Sequence, residues 1–105
     1  MAVKESNIMR LCMVAAAECG AIVWRNNVGV LENNRGQPVR YGLCNGSSDL
    51  IGIYKGRFLA VEIKRPGERM RPEQELFIDV VRREGGIAFV ATSPEEFKEK
   101  LSGYL

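Results

Sequence analysis

The 105-residue chain contains no histidine. That absence excludes histidine-ligated zinc, Ser-His-Asp triads, Cys-His dyads and nucleases that bind metal through histidine. Any hydrolytic chemistry must therefore use carboxylates, lysine and a bound metal ion. The three cysteines, Cys12, Cys19 and Cys44, form no Cys-x-x-Cys pair. We therefore expect Cys12 and Cys19 to be small structural residues of one helix rather than a metal or redox site.

A long apolar run is also missing. No stretch approaches the roughly 18 apolar residues that span a bilayer. The N-terminal segment carries the acidic Glu5 and has no small-residue cleavage site after its apolar stretch, which argues against a signal peptide. We therefore expect a cytoplasmic protein without a membrane partner. The length, with 46% hydrophobic and 27% charged residues, predicts one globular domain over residues 1–105.

The first half of the chain predicts a helix, a strand and an irregular region. Apolar residues at helical spacing predict a helix from Val3 to Cys19 that ends at Gly20. The β-prone segment from Ala21 to Arg25 predicts a strand, in which Trp24 is more often a core residue than a base-stacking one. Residues 26–48 are rich in Gly and Asn and predict a long loop or an irregular hairpin, with a strand near residues 39–43.

The second half predicts a hairpin followed by a helix, a strand and a helix. Residues 50–54 and 58–64 form two apolar strands around the turn Lys55-Gly56, buried on both faces. Residues 72–84 form a helix, residues 87–91 a strand, and Ser93 caps a last helix with Glu96 as its capping-box partner. The predicted fold class is α/β, in the order α-β-(β)-β-β-α-β-α, with a central mixed sheet flanked by helices.

The predicted hairpin brings two acids together. If Lys55 and Gly56 are the turn residues, Asp49 lies directly opposite Glu62, with Cβ atoms roughly 4.5–5.5 Å apart. Strand alternation puts Lys64 on the same face. Two such close carboxylates repel unless a proton or cation lies between them, and Mg²⁺ or Mn²⁺ is the natural cation for oxygen ligands. A neighbouring lysine can hold or activate a water that attacks a phosphodiester.

A structural reading of the same residues is open. Asp49 would then cap a strand edge, and Glu62 and Lys64 would form a solvent-facing pair. A charge at the mouth of an apolar core is costly without a partner, which favours the functional reading.

Basic and polar side chains near these acids suit a phosphate-bearing substrate. Arg65 and Arg69 belong to a basic segment that begins at Arg57 and ends at Arg71. Arginine, amide and hydroxyl groups also contact phosphates, which makes candidates of four further residues: Arg25, Asn26, Ser47 and Ser48. These four are equally typical of ordinary loops.

The spacing of Asp49 and Glu62-Ile63-Lys64 resembles the PD-(D/E)XK nuclease signature, with Ser48-Asp49 where Pro-Asp often stands. The wider sequence resembles the virus-type replication-repair nuclease domain, VRR-NUC, in its compact stand-alone form. The resemblance covers nearly the whole chain. Its motifs are Glu5 on the first helix, Gly46-Ser47-Ser48-Asp49-Leu50-Ile51-Gly52, Val61-Glu62-Ile63-Lys64 and Arg71-Pro72-Glu73-Gln74.

The resemblance implies a restriction-endonuclease-like core and a set of residue roles. Asp49, Glu62 and the backbone carbonyl of Ile63 would bind Mg²⁺ or Mn²⁺. Lys64 would position and polarise the attacking water, and Gln74 would support the lysine or the scissile phosphate. Glu5 would contact the metal through water or bind a second ion. A carboxylate in the first turn of a helix is also favourable without any function.

The resemblance further implies a metal-dependent, structure-selective DNA endonuclease of repair and recombination. Stand-alone members resemble Holliday-junction resolvases that act as homodimers in a phage or prophage setting. A homodimer also agrees with the size of the chain, since cutting two strands symmetrically needs two sites. The alternatives are a non-cleaving nucleic-acid-binding module, a flap or single-strand nuclease, and a domain whose acids are purely structural.

Overall fold

The computed structural model describes residues 4–104. Along the chain its helices and strands are α1 (Glu5–Glu18), β1 (Ile22–Arg25), β2 (Gly29–Glu32), β3 (Pro38–Tyr41), β4 (Leu50–Tyr54), β5 (Arg57–Ile63), α2 (Pro72–Arg83), β6 (Ile87–Ala91) and α3 (Pro94–Ser102). The α/β class and the flanked mixed sheet are confirmed. The predicted helix start at Val3 lies outside the described residues. Within residues 4–104, no helix combines the length and apolar character needed to cross a bilayer.

The central sheet has four strands in the order β1-β4-β5-β6. The β1–β4 and β4–β5 pairs are antiparallel, whereas β5 and β6 are parallel and are connected through α2. The turn between β4 and β5 consists of Lys55 and Gly56, whose φ angles are 51° and 78°. Positive φ at both central residues is typical of the tight turn whose twist matches a two-residue hairpin.

Apolar side chains cover the two faces of this sheet differently. On one face, α1 and α3 pack on the larger apolar cluster, in which Leu50, Leu59, Val61 and Ile63 are completely buried. On the other face, α2 packs over β5 and β6 through Ile78 and Val81, and buries a smaller cluster. The strand β5 therefore lies in the centre of the molecule and carries both cores.

The segment between β1 and β4 forms a hairpin, one of the two predicted alternatives, and its two strands make a separate two-stranded sheet. Two other details of the sequence prediction were wrong. Trp24 is 46% exposed because β1 is an edge strand that no helix covers on that face. Ile53 and Phe58 are also exposed, so the turn end of the β4–β5 hairpin is not buried on both sides.

The caps of the helices agree with the sequence in part. Gly20 follows α1 with a φ of 81°, as expected for a glycine that ends a helix. The Ser93 hydroxyl caps α3 by accepting a hydrogen bond from the Glu96 N–H. The Glu96 carboxylate, however, accepts its bond from the Thr92 N–H instead of the Ser93 N–H.

Candidate active site

The register of the β4–β5 hairpin is the predicted one. Leu50 pairs with Val61 and Ile51 with Ala60. Asp49 directly precedes β4 and therefore lies opposite Glu62, the second-last residue of β5. One Asp49 oxygen, Oδ2, accepts a hydrogen bond of 2.9 Å from the Ile63 N–H. That bond holds the Asp49 carboxylate across the end of β5.

Glu62 is the most perturbed acid of the site. Its side chain is buried, with 2% of the residue exposed. One oxygen, Oε1, accepts a hydrogen bond of 3.2 Å from the Gln74 side-chain amide. The other, Oε2, is buried and has no hydrogen-bond partner in the described part of the chain. This carboxyl group therefore has an oxygen whose electron pairs are left without a donor.

Burial raises the pKa of Glu62 to about 9, and the neighbouring Asp49 adds to the increase, because a protonated Glu62 can donate a hydrogen bond to Asp49 whereas an ionised one meets its negative charge. Lys64 opposes the increase, because a nearby cation favours the ionised carboxylate. Burial, together with the Asp49 carboxyl, therefore leaves Glu62 protonated at neutral pH unless a cation is bound beside it. The donor set consists of hard oxygens, one of them unsatisfied, and therefore fits a divalent ion such as Mg²⁺ or Mn²⁺.

Lys64 follows β5 and is 6% exposed. Its ammonium nitrogen Nζ lies 4.0 Å from Glu68 Oε2. Glu68 is an acid that the sequence prediction missed. Its Oε1 accepts a 2.9 Å hydrogen bond from the Arg65 N–H, and that bond is the main cause of the lowered pKa of Glu68. The turn at residues 65–68 therefore folds a carboxylate back beside the lysine.

Glu5 in the first turn of α1 reaches the same end of the sheet. Burial is the main cause that raises the pKa of Glu5. The Glu68 carboxyl raises it further by hydrogen bonding and by its charge, and the Asp49 charge adds a smaller increase. Glu5 thus lies close enough to Asp49 and Lys64 to interact with them electrostatically. Within residues 4–104, no three acidic or cysteine side chains converge closely enough to hold a metal ion by themselves. That spacing suits an outer position for Glu5 rather than a direct ligand.

Gln74, in the first turn of α2, bridges the acid and the helix start. Its Oε1 accepts a 2.9 Å hydrogen bond from the Arg71 N–H, while its NH₂ donates to Glu62. No hydrogen bond joins Gln74 to Lys64 among the described residues, so its contact is with the acid, not with the lysine. The helix start is thereby fixed relative to β5.

The segment before Asp49 packs tightly against α2. Gly46 has a φ of 87°, and a Cβ atom there would lie 2.5 Å from the Glu73 carbonyl oxygen. Only glycine permits this approach. The packing closes one side of a polar cleft of about 240 Å³, lined by Asn26, Val28, Cys44, Asn45, Gly46, Ser47, Asp49, Glu62, Arg71 and Gln74.

Three of the predicted DNA contacts have internal roles in this structure. The Asn26 side-chain amide donates to Ser47 Oγ at 2.7 Å and to the Ser48 carbonyl at 2.9 Å, and its backbone N–H donates to the Asp49 carbonyl. Ser47 Oγ also donates to the Cys44 carbonyl. Ser48 is buried, with 1% of the residue exposed, so its side chain does not reach the surface in this structure. These hydrogen bonds fix the backbone of the segment that leads into Asp49.

The basic candidates remain on the surface. Arg25 ends the edge strand β1 and is exposed, as are Arg65 and Arg69. Arg65 makes an ion pair with Glu68, with its Nε 3.5 Å from Oε1. Arg65 and Arg69 lie in the chain beside Lys64 and Glu68, near the end of the sheet where Asp49 and Glu62 lie. They are therefore available to a polyanion that approaches this end.

Comparison with known proteins agrees with this geometry. The family model of the VRR-NUC domain matches residues 22–95, which include β1 to β6 and all of α2. The chain belongs to the VRR-NUC family of nuclease domains. No curated protein matches it.

Solved structures give the same result for the fold. A structure described as a VRR_NUC domain is 22% identical, covers 99% of this chain and 100% of its own, and superimposes with a TM-score of 0.68. A second, described as a VRR_NUC domain protein, is 20% identical with a TM-score of 0.63, covering 99% of this chain and 89% of its own.

Proposed function

We propose that the chain is a metal-dependent DNA endonuclease that hydrolyses phosphodiester bonds in branched DNA, with a four-way junction as substrate and a homodimer as the active form. The main support is the orphaned Glu62 oxygen opposite Asp49, with Lys64 beside it. A structural acid at this depth would be expected to have both oxygens satisfied. An unsatisfied oxygen in a polar cleft instead favours a ligand.

Asp49, Glu62 and the Ile63 carbonyl would hold the Mg²⁺ or Mn²⁺ ion, with Glu5 contacting it through water. When bound, such an ion lowers the pKa of water and stabilises the negative charge of the reacting phosphate. The Lys64 ammonium would hold a water beside the two acids by donating a hydrogen bond to it. Gln74 would keep Glu62 oriented, because its amide is fixed at both ends.

The surface around the cleft supports DNA as the substrate. We call Arg25, Arg65 and Arg69 the basic rim: each is exposed and is next in the chain to a residue of the site, namely Asn26, Lys64 and Glu68. Exposed arginines bind phosphates without reading sequence. Binding by these three residues would therefore follow the shape of the nucleic acid. A substrate with several strands meeting at one point presents more phosphates to such a rim than a single duplex does.

The purified chain should be incubated with linear, flap and four-way DNA in Mg²⁺, in Mn²⁺ and with a chelator. We expect cleavage of the four-way DNA in the presence of either ion and no cleavage with the chelator. Lys64→Met and Glu62→Gln should bind the same DNA without cutting it. A wild-type chain that binds but does not cut in either ion would contradict the proposal and favour a non-cleaving binding module.

A further inference from the structure

The hairpin formed by β2 and β3 has one uncharged, largely apolar face. Leu31 pairs with Val39, and Tyr41 pairs with Gly29, so these side chains point to the same side. The Tyr41 ring lies where a Cβ atom of Gly29 would be. We call Leu31, Val39 and Tyr41 the hairpin face; they are 64%, 48% and 43% exposed. Exposure of this extent on adjacent apolar side chains calls for a partner surface.

The hairpin receives little support from the rest of the chain. In the described residues, neither apolar cluster contains a side chain from β2 or β3. An isolated two-stranded ribbon is marginally stable in water. A surface that packs against the hairpin would therefore stabilise it.

The central sheet presents a second uncovered apolar surface. Ile22 pairs with Ile53, Ile53 pairs with Phe58, and Trp24 pairs with Ile51, so all five share the face on which α2 packs. Because α2 packs mainly over β6 and the middle of β5, the side chains of β1 and of the turn end of the β4–β5 hairpin stay open. We call Ile22, Trp24, Ile53 and Phe58 the sheet patch; they are 65%, 46%, 49% and 41% exposed.

We propose that two copies of the chain associate with the hairpin face of each copy packed on the sheet patch of the other. This inference rests on the homodimer of the proposed function and names its interface. This arrangement is symmetric about a two-fold axis, because the hairpin face of each copy contacts the sheet patch of the other. In the part of the chain that the structure describes, the hairpin does not join the apolar cluster on this face of the sheet, so the patch is open to a second copy.

The size and chemistry of the two surfaces fit this occupant. From their exposed fractions, and with aromatic side chains of roughly 150–250 Å² each, the seven residues expose on the order of 700 Å² per copy, near the roughly 800 Å² of a standard interface. None of the seven is charged, so their burial leaves no unpaired charge. DNA binding would favour basic side chains, and the hairpin face has none.

The interface would leave both cleavage sites accessible. Ile53 and Phe58 lie next to the Lys55-Gly56 turn, at the end of the β4–β5 hairpin away from Asp49 and Glu62. The polar tip of the β2–β3 hairpin, with Asn33, Asn34 and Arg35, projects beyond its apolar face and stays exposed. A dimer built in this way therefore carries two open acidic clefts.

The oligomeric state of the full-length chain tests the interface, by sedimentation velocity and light scattering across a concentration series. Wild type should be a dimer. Leu31→Glu on the hairpin face and Ile53→Lys on the sheet patch should each weaken dimerisation by at least about tenfold. Val30→Glu is the matched control, since Val30 is 54% exposed and points to the opposite side of the same strand. Circular dichroism checks that all variants fold.

A mixing experiment distinguishes this arrangement from other dimers. Leu31→Glu and Ile53→Lys chains, each weakened alone, should form a heterodimer when mixed, because one contact stays native and the other pairs opposite charges. Loss of dimer without recovery on mixing would overturn the hairpin-on-sheet arrangement in favour of like-on-like packing. So would equal weakening by the Val30→Glu control.

The outcomes also separate this inference from the proposed function. A monomeric wild-type chain that cleaves DNA would overturn the interface and leave the nuclease proposal standing. A dimer whose variants behave as expected but which does not cleave DNA would support the interface and contradict the nuclease proposal. A monomeric wild-type chain whose DNA affinity falls with Leu31→Glu would assign the hairpin to DNA and overturn the inference.

Discussion

Glu62→Gln should remove most of the pH dependence of stability in the metal-free protein. The pKa of Glu62 is raised from 4.5 to about 9, mainly by burial and then by Asp49. In the folded chain this acid keeps its proton at neutral pH, whereas in the unfolded chain it is ionised above pH 4.5. Its contribution to the free energy of unfolding is therefore complete below pH 4.5 and is lost as the pH rises toward 9.

The size of the effect follows from the width of that window. About pH 7.5 is three units above the pKa of Glu62 in the unfolded chain. At 1.36 kcal/mol per unit, the free energy of unfolding is therefore about 4 kcal/mol lower there than below pH 4.5. For a chain of this length, that loss lowers Tm by roughly 15–25 °C. Glutamine has the same shape, cannot ionise, and can donate a hydrogen bond to Asp49 from the position of the orphaned oxygen. The free energy of unfolding of the Glu62→Gln variant should therefore change little over the same pH range.

The measurement is thermal unfolding followed by circular dichroism in a chelator, from about pH 5 to pH 8.5, the window between the two pKa values. Titration of Glu5 and Glu68 contributes to both proteins and cancels in the comparison. Glu99→Gln, at an exposed position of α3, is the control and should follow wild type. If wild type and Glu62→Gln lose stability in parallel as the pH rises, the burial argument for this acid is refuted.

Three further predictions concern the ion, the lysine and the loop before Asp49. Mn²⁺ at a hundred times its Kd should stabilise wild type by about 2.7 kcal/mol in thermal unfolding; Asp49→Asn should abolish this gain, and an undiminished gain would rule out Asp49 as a ligand. Lys64→Met should slow single-turnover cleavage roughly 10²–10⁴-fold with unchanged DNA affinity in a binding titration, so a loss of affinity alone would contradict its role at the water. Asn26→Ala should cost about 1–3 kcal/mol of unfolding free energy and weaken Mn²⁺ binding by calorimetry; loss of DNA affinity with intact Mn²⁺ binding would instead make Asn26 a DNA contact.

The central hairpin could be predicted from the sequence because its register is fixed locally. A two-residue turn determines which residues of the flanking strands lie opposite each other. Once Lys55 and Gly56 are placed in the turn, the opposition of Asp49 and Glu62 follows without knowledge of the rest of the fold. The same holds for Gln74, whose position in the first turn of α2 follows from Pro72.

The features that were missed depend on contacts between distant segments. Glu68 reaches the site only because the turn after β5 folds back toward the start of α1, and a single acid in a loop gives no sign of this. Trp24 is exposed because α2 covers β5 and β6 but not β1, and the periodicity of β1 alone cannot reveal which strands a later helix will cover. Asn26 binds the backbone of residues 48 and 49, more than twenty positions away.

These distant contacts also explain how the chain tolerates an unsatisfied acid. Val61 and Ile63, the residues on either side of Glu62 in β5, are completely buried. The strand therefore cannot move to expose the Glu62 carboxyl group without opening the core. Gln74 and the Ile63 N–H hold Glu62 and Asp49 in place from two different elements. Glu62 is thus held buried beside Asp49 and keeps its proton in the metal-free chain. A cation that takes the place of this proton should stabilise the fold as it binds, so its affinity and its stabilising effect should decrease together when either acid is replaced by its amide.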